Sequence, residues 1–357
     1  VEQYPEKVCV VSAILTKATT KIMKLLNLLI KDEKKVNRKL YSSGPYWSYK
    51  NLKTIYQIKK RGISDFRGTS SGVGSSFTDN LQSDIRNELG FKGRLLGSIF
   101  ELPILKKIFK QQVVLTKDYM NKYLQAFSII CANDENVKKL IDKYEFKNTA
   151  EYGCVNKFTF KKKEYSTFYL EIADRVEKLS KNFDFKRLKT FFEIGGGFGA
   201  NIHFLITNFP NIKKVIYLDA VPNVYLGTQY LKRHFGENVK EYTETRGSSI
   251  IEFKDNDELE IICIPPWEIE KLKVKIDHFH NAESFVEMPR EVVENYYKFI
   301  KKFDTREISL ISYDGYDENT TFNPETLNEI FENKLKISRN KYFIDKYDNR
   351  NIYLCSK

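Results

Sequence analysis

From about residue 185 onward, apolar runs of strand length alternate with segments whose apolar positions recur at helical spacing, the pattern of a parallel α/β sheet. Strands are expected at 189–195, 214–220, 259–264, 275–281, 307–313 and 351–356. Helices are expected at 198–209, 222–235, 289–303 and 324–333, the last two opening at Pro289 and Pro324, where a missing N–H costs little. Before residue 150 the periodicity is instead helical, in 12–40, 46–61 and 117–144, with little that reads as a buried strand. The chain is therefore expected to divide into a mainly helical accessory domain, 1–150, and an α/β domain, 151–357, with helices on both faces of its sheet. A length of 357 residues suits two such units.

The most apolar stretch near the N-terminus, residues 8–30, is interrupted by Lys17, Lys21 and Lys24, whereas a membrane span needs about 20 mostly apolar residues. The lysines also fall inside the apolar run rather than ahead of it, unlike those of a signal peptide. Ile14, Ile22, Leu25, Leu26, Leu29 and Ile30 share one helical face, so this helix is expected to pack on the protein's own core in preference to lying on a membrane. Five cysteines, widely spaced and without a C-x-x-C, suggest neither a disulfide framework nor a zinc site, which points to the cytoplasm. A start at Val1 suggests a missing native N-terminus.

Lys and Arg exceed Asp and Glu by 59 to 47, a net charge of +12 that favours anionic partners without choosing among phosphosugar, nucleic acid and acidic lipid. No RNA-binding motif appears, which makes nucleic acid an unexpected partner.

The first strand of the α/β half runs into Glu193-Ile194-Gly195-Gly196-Gly197-Phe198-Gly199-Ala200 and then a helix. Gly195, Gly197 and Gly199 at a strand-to-helix turn allow positive φ and close approach of a ligand at the sheet's carboxyl edge. Gly195, Gly197 and Ala200 also satisfy the dinucleotide fingerprint, with Asp219 closing the next strand, so spacing alone leaves a nicotinamide cofactor open.

Glu193 two residues before a tight G-x-G-x-G resembles motif I of the S-adenosylmethionine-dependent methyltransferases. That resemblance implies a Rossmann-like methyltransferase sheet, with Glu193 orienting the methionine moiety and Asp219 accepting from the ribose hydroxyls. It also implies a place for Trp267, after Ile264-Pro265-Pro266, beside the adenine. Further on, Asp277, Asn281, Ser284, Glu287 and Met288 form D-x-x-x-N-x-x-S-x-x-E-M, followed by Asn295-Tyr296-Tyr297. With Leu218 to Pro222, Gln229 to Leu231 and the block Gly62 to Arg86, this resembles the sugar O-methyltransferase family of bacterial surface-polysaccharide gene clusters. The implied acceptor is a sugar, nucleotide sugar or glycan. His278 and His280 depart from that pattern, standing where aliphatic residues are expected.

Methyl transfer to a hydroxyl needs alignment and a base for the hydroxyl proton. His280 is the first candidate base, since imidazole titrates near neutrality, and Glu287 the alternative. Asn281 and Ser284 would position the acceptor or the cofactor carboxylate. A divalent ion is compatible with the residue types Asp277, His278 and His280, but neighbours on a strand face opposite ways and no metal is required. In the Gly62 to Arg86 block, which lacks a P-loop ending, Arg67, Asp79 and Arg86 are expected to hold the acceptor. Transfer to RNA, protein or another small molecule, and a nicotinamide-dependent oxidoreductase, are the rival readings.

Overall fold

The computed structural model describes residues 23–64, 66–67, 125, 128–154, 157–312, 323–341 and 350–356. A small antiparallel hairpin, β1 (Phe158–Phe160) and β2 (Lys163–Tyr165), precedes the main sheet. That sheet is built from β3 (Thr190–Ile194), β4 (Lys214–Leu218), β5 (Val239–Lys240), β6 (Glu260–Ile264), β7 (His278–Ala282), β8 (Glu307–Ser312), β9 (Lys336–Lys341) and β10 (Arg350–Ser356). Its order is β5-β6-β4-β3-β7-β8-β10-β9. All neighbours from β5 to β8 are parallel, and β10 is antiparallel to both β8 and β9. Because β4 and β7 flank β3 on opposite sides, the strand order reverses there. A crevice opens at the carboxyl ends of those strands, where ligands bind in doubly wound sheets.

The main helices among the described residues are α1 (residues 23–33), α2 (Arg38–Tyr41), α3 (Gly44–Arg61), α4 (Glu135–Lys143), α5 (Thr167–Leu179), α6 (Ala200–Asn208), α7 (Asn223–Phe235), α8 (Arg290–Lys302) and α9 (Pro324–Ile330). Both faces of the sheet are covered, so β4 and β6 are buried along their whole length and apolar after their first residues, Lys214 and Glu260, which pair with each other. One face carries Phe191, Val215, Tyr217, Ile261 and Cys263 against α5, α6 and α7. The other carries Phe192, Ile216, Leu218, Ile262 and Phe279 against α8 and α9. Leu25, Leu26 and Leu29 of α1 and Ile58 of α3 join the first of these cores, as the apolar stripe of the N-terminal helix predicts; Ile14 and Ile22 lie outside the described residues. Among the described residues no helix is long and apolar enough to cross a membrane.

The Rossmann-like α/β architecture is thus the one expected, with shifts at the margins. β7 starts at His278 rather than 275, because Asp277 is engaged sideways: its Oδ2 accepts from the backbone N–H of Lys189 and Thr190 at 2.8 and 3.0 Å. α9 stops at Ile330, short of 333, and Glu332 and Asn333 take positive φ. The hairpin, β5, β9 and α5 were not anticipated. α5 follows Ser166, whose hydroxyl accepts from Arg67 Nη2 at 2.9 Å in place of capping the helix.

Candidate active site

β3 ends in a turn where three of the four glycines have positive φ: Gly195 at 74°, Gly197 at 60° and Gly199 at 85°. At Gly195 a Cβ would fall 2.0 Å from Ser284 Oγ, so only glycine fits. The turn is held from within. Gly195 N–H donates to the Leu218 carbonyl at 2.8 Å, Gly199 N–H to the Gly196 carbonyl at 2.9 Å, and Gly197 N–H to Asp219 Oδ2 at 2.7 Å. The Tyr217 hydroxyl donates to the Gly197 carbonyl from the next strand.

A cavity of about 320 Å³ lies over this turn, in the volume range of small-molecule sites. Its walls bring together Glu193, Gly195, Gly197, Asp219, His280, Ser284 and Glu287 from the sequence-derived set. They add Trp47, Asn51, Glu171, Arg175, Asn201 and Glu283, which sequence reasoning did not single out. Five carboxylates (Glu171, Glu193, Asp219, Glu283 and Glu287) therefore face one guanidinium, Arg175, which already bridges Glu171 and Glu283.

Glu193 is buried and its Oε1 accepts from Asn201 Nδ2 at 2.9 Å. Its Oε2 is buried with no hydrogen-bond partner among the described residues. Burial pushes this carboxyl up to about 8, overriding the Asn201 hydrogen bond. Asp219 accepts a second backbone bond, from Ala220 N–H to Oδ1 at 2.7 Å. Burial still outweighs both backbone donors and raises it to about 7. Two desolvated acids, each with lone pairs to spare, are poised to receive donors or positive charge.

His280 sits on β7 at 4% exposure, with its Nδ1 2.8 Å from Ser309 Oγ. Burial lowers its pKa to about 3, so an isolated imidazolium is strongly disfavoured there. Glu287 accepts from Trp47 Nε1 at 2.6 Å, which ties α3 of the N-terminal half to the carboxyl edge of the sheet. Asn281 does not line the cavity. Its amide donates to the Ile194 carbonyl at 2.8 Å and to Ser284 Oγ at 2.6 Å and accepts from Phe285 N–H at 3.2 Å, which clamps the end of β3 to the turn after β7.

Besides Asn281, three expected residues are off the wall: Gly199, which precedes the first residue of α6, Trp267 and Arg67. Trp267 packs edge-on against Tyr242, ring centroids 5.9 Å apart, donates its Nε1–H to the Tyr242 hydroxyl, and is absent from the cavity wall. Arg67 is fully buried, bonded to the Thr149 carbonyl and Ser166 Oγ at 2.9 Å each and stacked over Phe198 and Tyr169. It braces the core behind the glycine turn and does not reach the cavity. Asp79 and Arg86 lie outside the described residues. Among the described residues no group of three or more His, Cys, Asp or Glu is placed to hold a metal ion.

No protein-family model matches the chain, and no match is found among curated proteins. Among solved structures it is similar to magnesium protoporphyrin IX methyltransferase (ChlM) from Synechocystis PCC 6803 with bound SAM, at 12% identity and a TM-score of 0.36, over 52% of this chain and 78% of that one. It is also similar to the pyocyanin biosynthetic protein PhzM, at 9% identity and a TM-score of 0.35, over 53% of this chain and 57% of that one. For the mitomycin 7-O-methyltransferase MmcR the values are 11% and 0.36, over 64% of this chain and 59% of that one.

Proposed function

We propose that the protein transfers a methyl group from S-adenosylmethionine to a hydroxyl of a neutral, sugar-like acceptor. The observation that carries this reading is the acid-lined cavity over a glycine turn in which the amides of Gly195, Gly197 and Gly199 are already used. A pyrophosphate needs free N–H groups and net positive surroundings at such a turn. Here Gly195, Gly197 and Gly199 spend their N–H groups internally, and the wall carries five carboxylates against one bridged guanidinium. A ligand with a sulfonium, an amino group and a ribose diol suits those charges, and a dinucleotide does not. Glu193 Oε2, buried without a partner among the described residues, supplies the acceptor for a cationic or N–H group of the ligand, and Asp219 supplies acceptors for the ribose hydroxyls. Bound S-adenosylmethionine contributes an electrophilic methyl; the chain's part is to bind, orient and manage the hydroxyl proton.

We assign the acceptor side to Trp47 and Asn51 of α3 together with Glu287 and His280; that the two α3 residues line the same cavity supports an acceptor-side role for residues 1–150. An aromatic face beside an amide and a carboxylate suits a polyhydroxylated ring. The same five carboxylates disfavour RNA or another polyanion at the reacting centre. Calorimetric titration with S-adenosylhomocysteine, with NAD in parallel and repeated on Asp219→Ala, tests the cofactor. Binding of the first and its loss in the variant is expected, and binding of NAD alone overturns the reading. A screen of methyl glycosides, nucleotide sugars and RNA for methyl uptake then tests the acceptor class, with the neutral glycosides expected to lead.

A further inference from the structure

The period of two in β7 and β8 places His278 and His280 on the same sheet face as Glu307 and Ser309, and the parallel register sets His278 against Glu307 and His280 against Ser309. The side chains then join in one line. Glu307 Oε2 is 3.1 Å from His278 Nδ1, His278 Nε2 is 2.7 Å from Ser309 Oγ, and Ser309 Oγ is 2.8 Å from His280 Nδ1. One end, Glu307, has a side chain 24% exposed; the other, His280, lines the cavity. Between them His278 is wholly buried, stacked on Phe191 at 5.6 Å with Phe183 edge-on at 4.7 Å, so water is kept off the line.

The donor and acceptor inventory orients every bond. A carboxylate only accepts, so His278 Nδ1 carries the proton and its Nε2 is a lone pair. Ser309 must therefore donate to His278 Nε2, which leaves its oxygen to accept from His280 Nδ1–H. His280 Nε2 is then a bare lone pair in the cavity, with no hydrogen bond among the described residues.

We infer that Glu307, His278 and Ser309 are positioning residues that fix the tautomer of His280 and carry the acceptor's proton from the cavity to the far end of the sheet. This rests on the proposal of methyl transfer to a hydroxyl. As the acceptor oxygen forms its bond to the methyl carbon and the carbon–sulfur bond of the sulfonium breaks, the hydroxyl proton passes to His280 Nε2. The Nδ1 proton of His280 moves to Ser309 Oγ, the Ser309 proton to His278 Nε2, and the His278 Nδ1 proton to Glu307, which returns it to water. Each side chain in the line gains one proton and loses one, so no imidazolium accumulates. Burial makes that necessary, since it lowers the pKa of both histidines and the Arg175 charge lowers that of His280 further. Both rings are left as Nε2–H tautomers, and the reverse passage of a proton from the Glu307 end, released from His280 Nε2 into the emptied cavity, restores the Nδ1–H forms once product has left. The charged groups facing His280 are Arg175 of α5 and Glu193 of β3, with Glu283 beyond the end of β7; Asp277 and Arg306 flank the Glu307 end.

The test is the tautomer state of the 4 histidines in the full chain labelled with ¹⁵N-histidine, read by long-range ¹H–¹⁵N correlation. Neutral Nδ1–H forms are expected for both His278 and His280 at pH 7. Ser309→Ala should release His280 toward the Nε2–H form. Glu307→Ala, which removes a group that does not touch His280, should shift His280 the same way while circular dichroism stays native. An Nε2–H form of His280 in the wild type, or a His280 tautomer indifferent to Glu307→Ala, overturns the relay. With the acceptor that the screen returns, Glu307→Gln should lower kcat at least about tenfold with acceptor KM held, and an unchanged kcat also overturns it. The two ideas fail separately. Absent S-adenosylhomocysteine binding with both Nδ1–H tautomers present removes the methyl-transfer reading alone, and binding with an Nε2–H His280 removes the relay alone.

Discussion

Glu193 and Asp219 make ligand binding a proton-linked event whose size follows from their environments. In the ligand-free protein, burial holds Glu193 near 8 and Asp219 near 7, against ordinary values of 4.5 and 3.8. At pH 7.5 about three-quarters of Glu193 and about one-quarter of Asp219 are then protonated, so a ligand that requires both carboxylates expels about one proton on binding. The sign follows directly. Affinity is full above the free-state values and is lost as pH falls through 8 and then 7. Between pH 8.5 and 6.5 the loss is about 25-fold through Glu193 and about fourfold through Asp219. The stability of the free protein runs the other way, because the folded state holds more protons than the unfolded chain between the ordinary and raised values and so weakens as pH rises through that window. The assay is calorimetry of S-adenosylmethionine binding at pH 7.5 in two buffers of different ionisation enthalpy, repeated on Glu193→Gln and Asp219→Asn. The ligand's own amino group titrates nearby, so the informative number is the difference from wild type. A drop of about 0.8 proton for Glu193→Gln and about 0.2 for Asp219→Asn is expected. Equal proton release in all three proteins, or a wild-type affinity flat from pH 6.5 to 8.5, refutes the electrostatic argument.

The remaining predictions concern packing around the same turn. Gly195→Ala adds a Cβ 2.0 Å from a Ser284 hydroxyl that Asn281 holds, on a backbone with φ of 74°. It should cost about 1–3 kcal/mol in denaturant unfolding and abolish cofactor binding. Gly227→Ala lies inside α7, where propensity alone would favour alanine by about 1 kcal/mol. The new Cβ would fall 2.2 Å from the Tyr217 hydroxyl, so net destabilisation is expected, and a raised melting temperature would show that the ring has room to yield. Trp47→Phe keeps an aromatic ring at the cavity wall but removes the hydrogen bond that the indole N–H donates to Glu287. Acceptor KM or turnover should worsen about tenfold or more, while S-adenosylhomocysteine affinity stays within about threefold in calorimetry.

The glycine turn and its two acids were legible because their chemistry is local: a strand, a run of glycines and a carboxylate closing the next strand are all consecutive features of the chain. Trp47 was not, because a tryptophan one turn into an amphipathic helix reads as ordinary packing until α3 is laid against the turn that carries Glu287. Arg67 misled in the opposite direction. Among glycines and serines an arginine reads as solvated, yet Thr149, Ser166, Phe198 and Tyr169 arrive from distant segments to satisfy and cover it. Trp267 follows its strand as expected, but its orientation is set by Tyr242, which the strand pattern does not specify.

The two histidines of β7 show where the missing information lies. That His278 and His280 share a face followed from the period of two, and that both stand where aliphatic residues are expected could be seen at once. Burying two imidazoles on a central strand costs free energy unless each nitrogen that loses water finds a partner. The partners were visible too, as the polar alternation of Glu307 and Ser309 in a strand otherwise apolar up to Ser312, but that alternation alone reads as an edge with one wet face. Only the ladder between β7 and β8 sets His278 beside Glu307 and His280 beside Ser309. A slip of one residue would turn Glu307 and Ser309 to the opposite face and strand both rings among phenylalanines. Register therefore decides whether the pair is a defect in the core or a line of hydrogen bonds ending at the cavity, and register is a property of strands far apart in sequence.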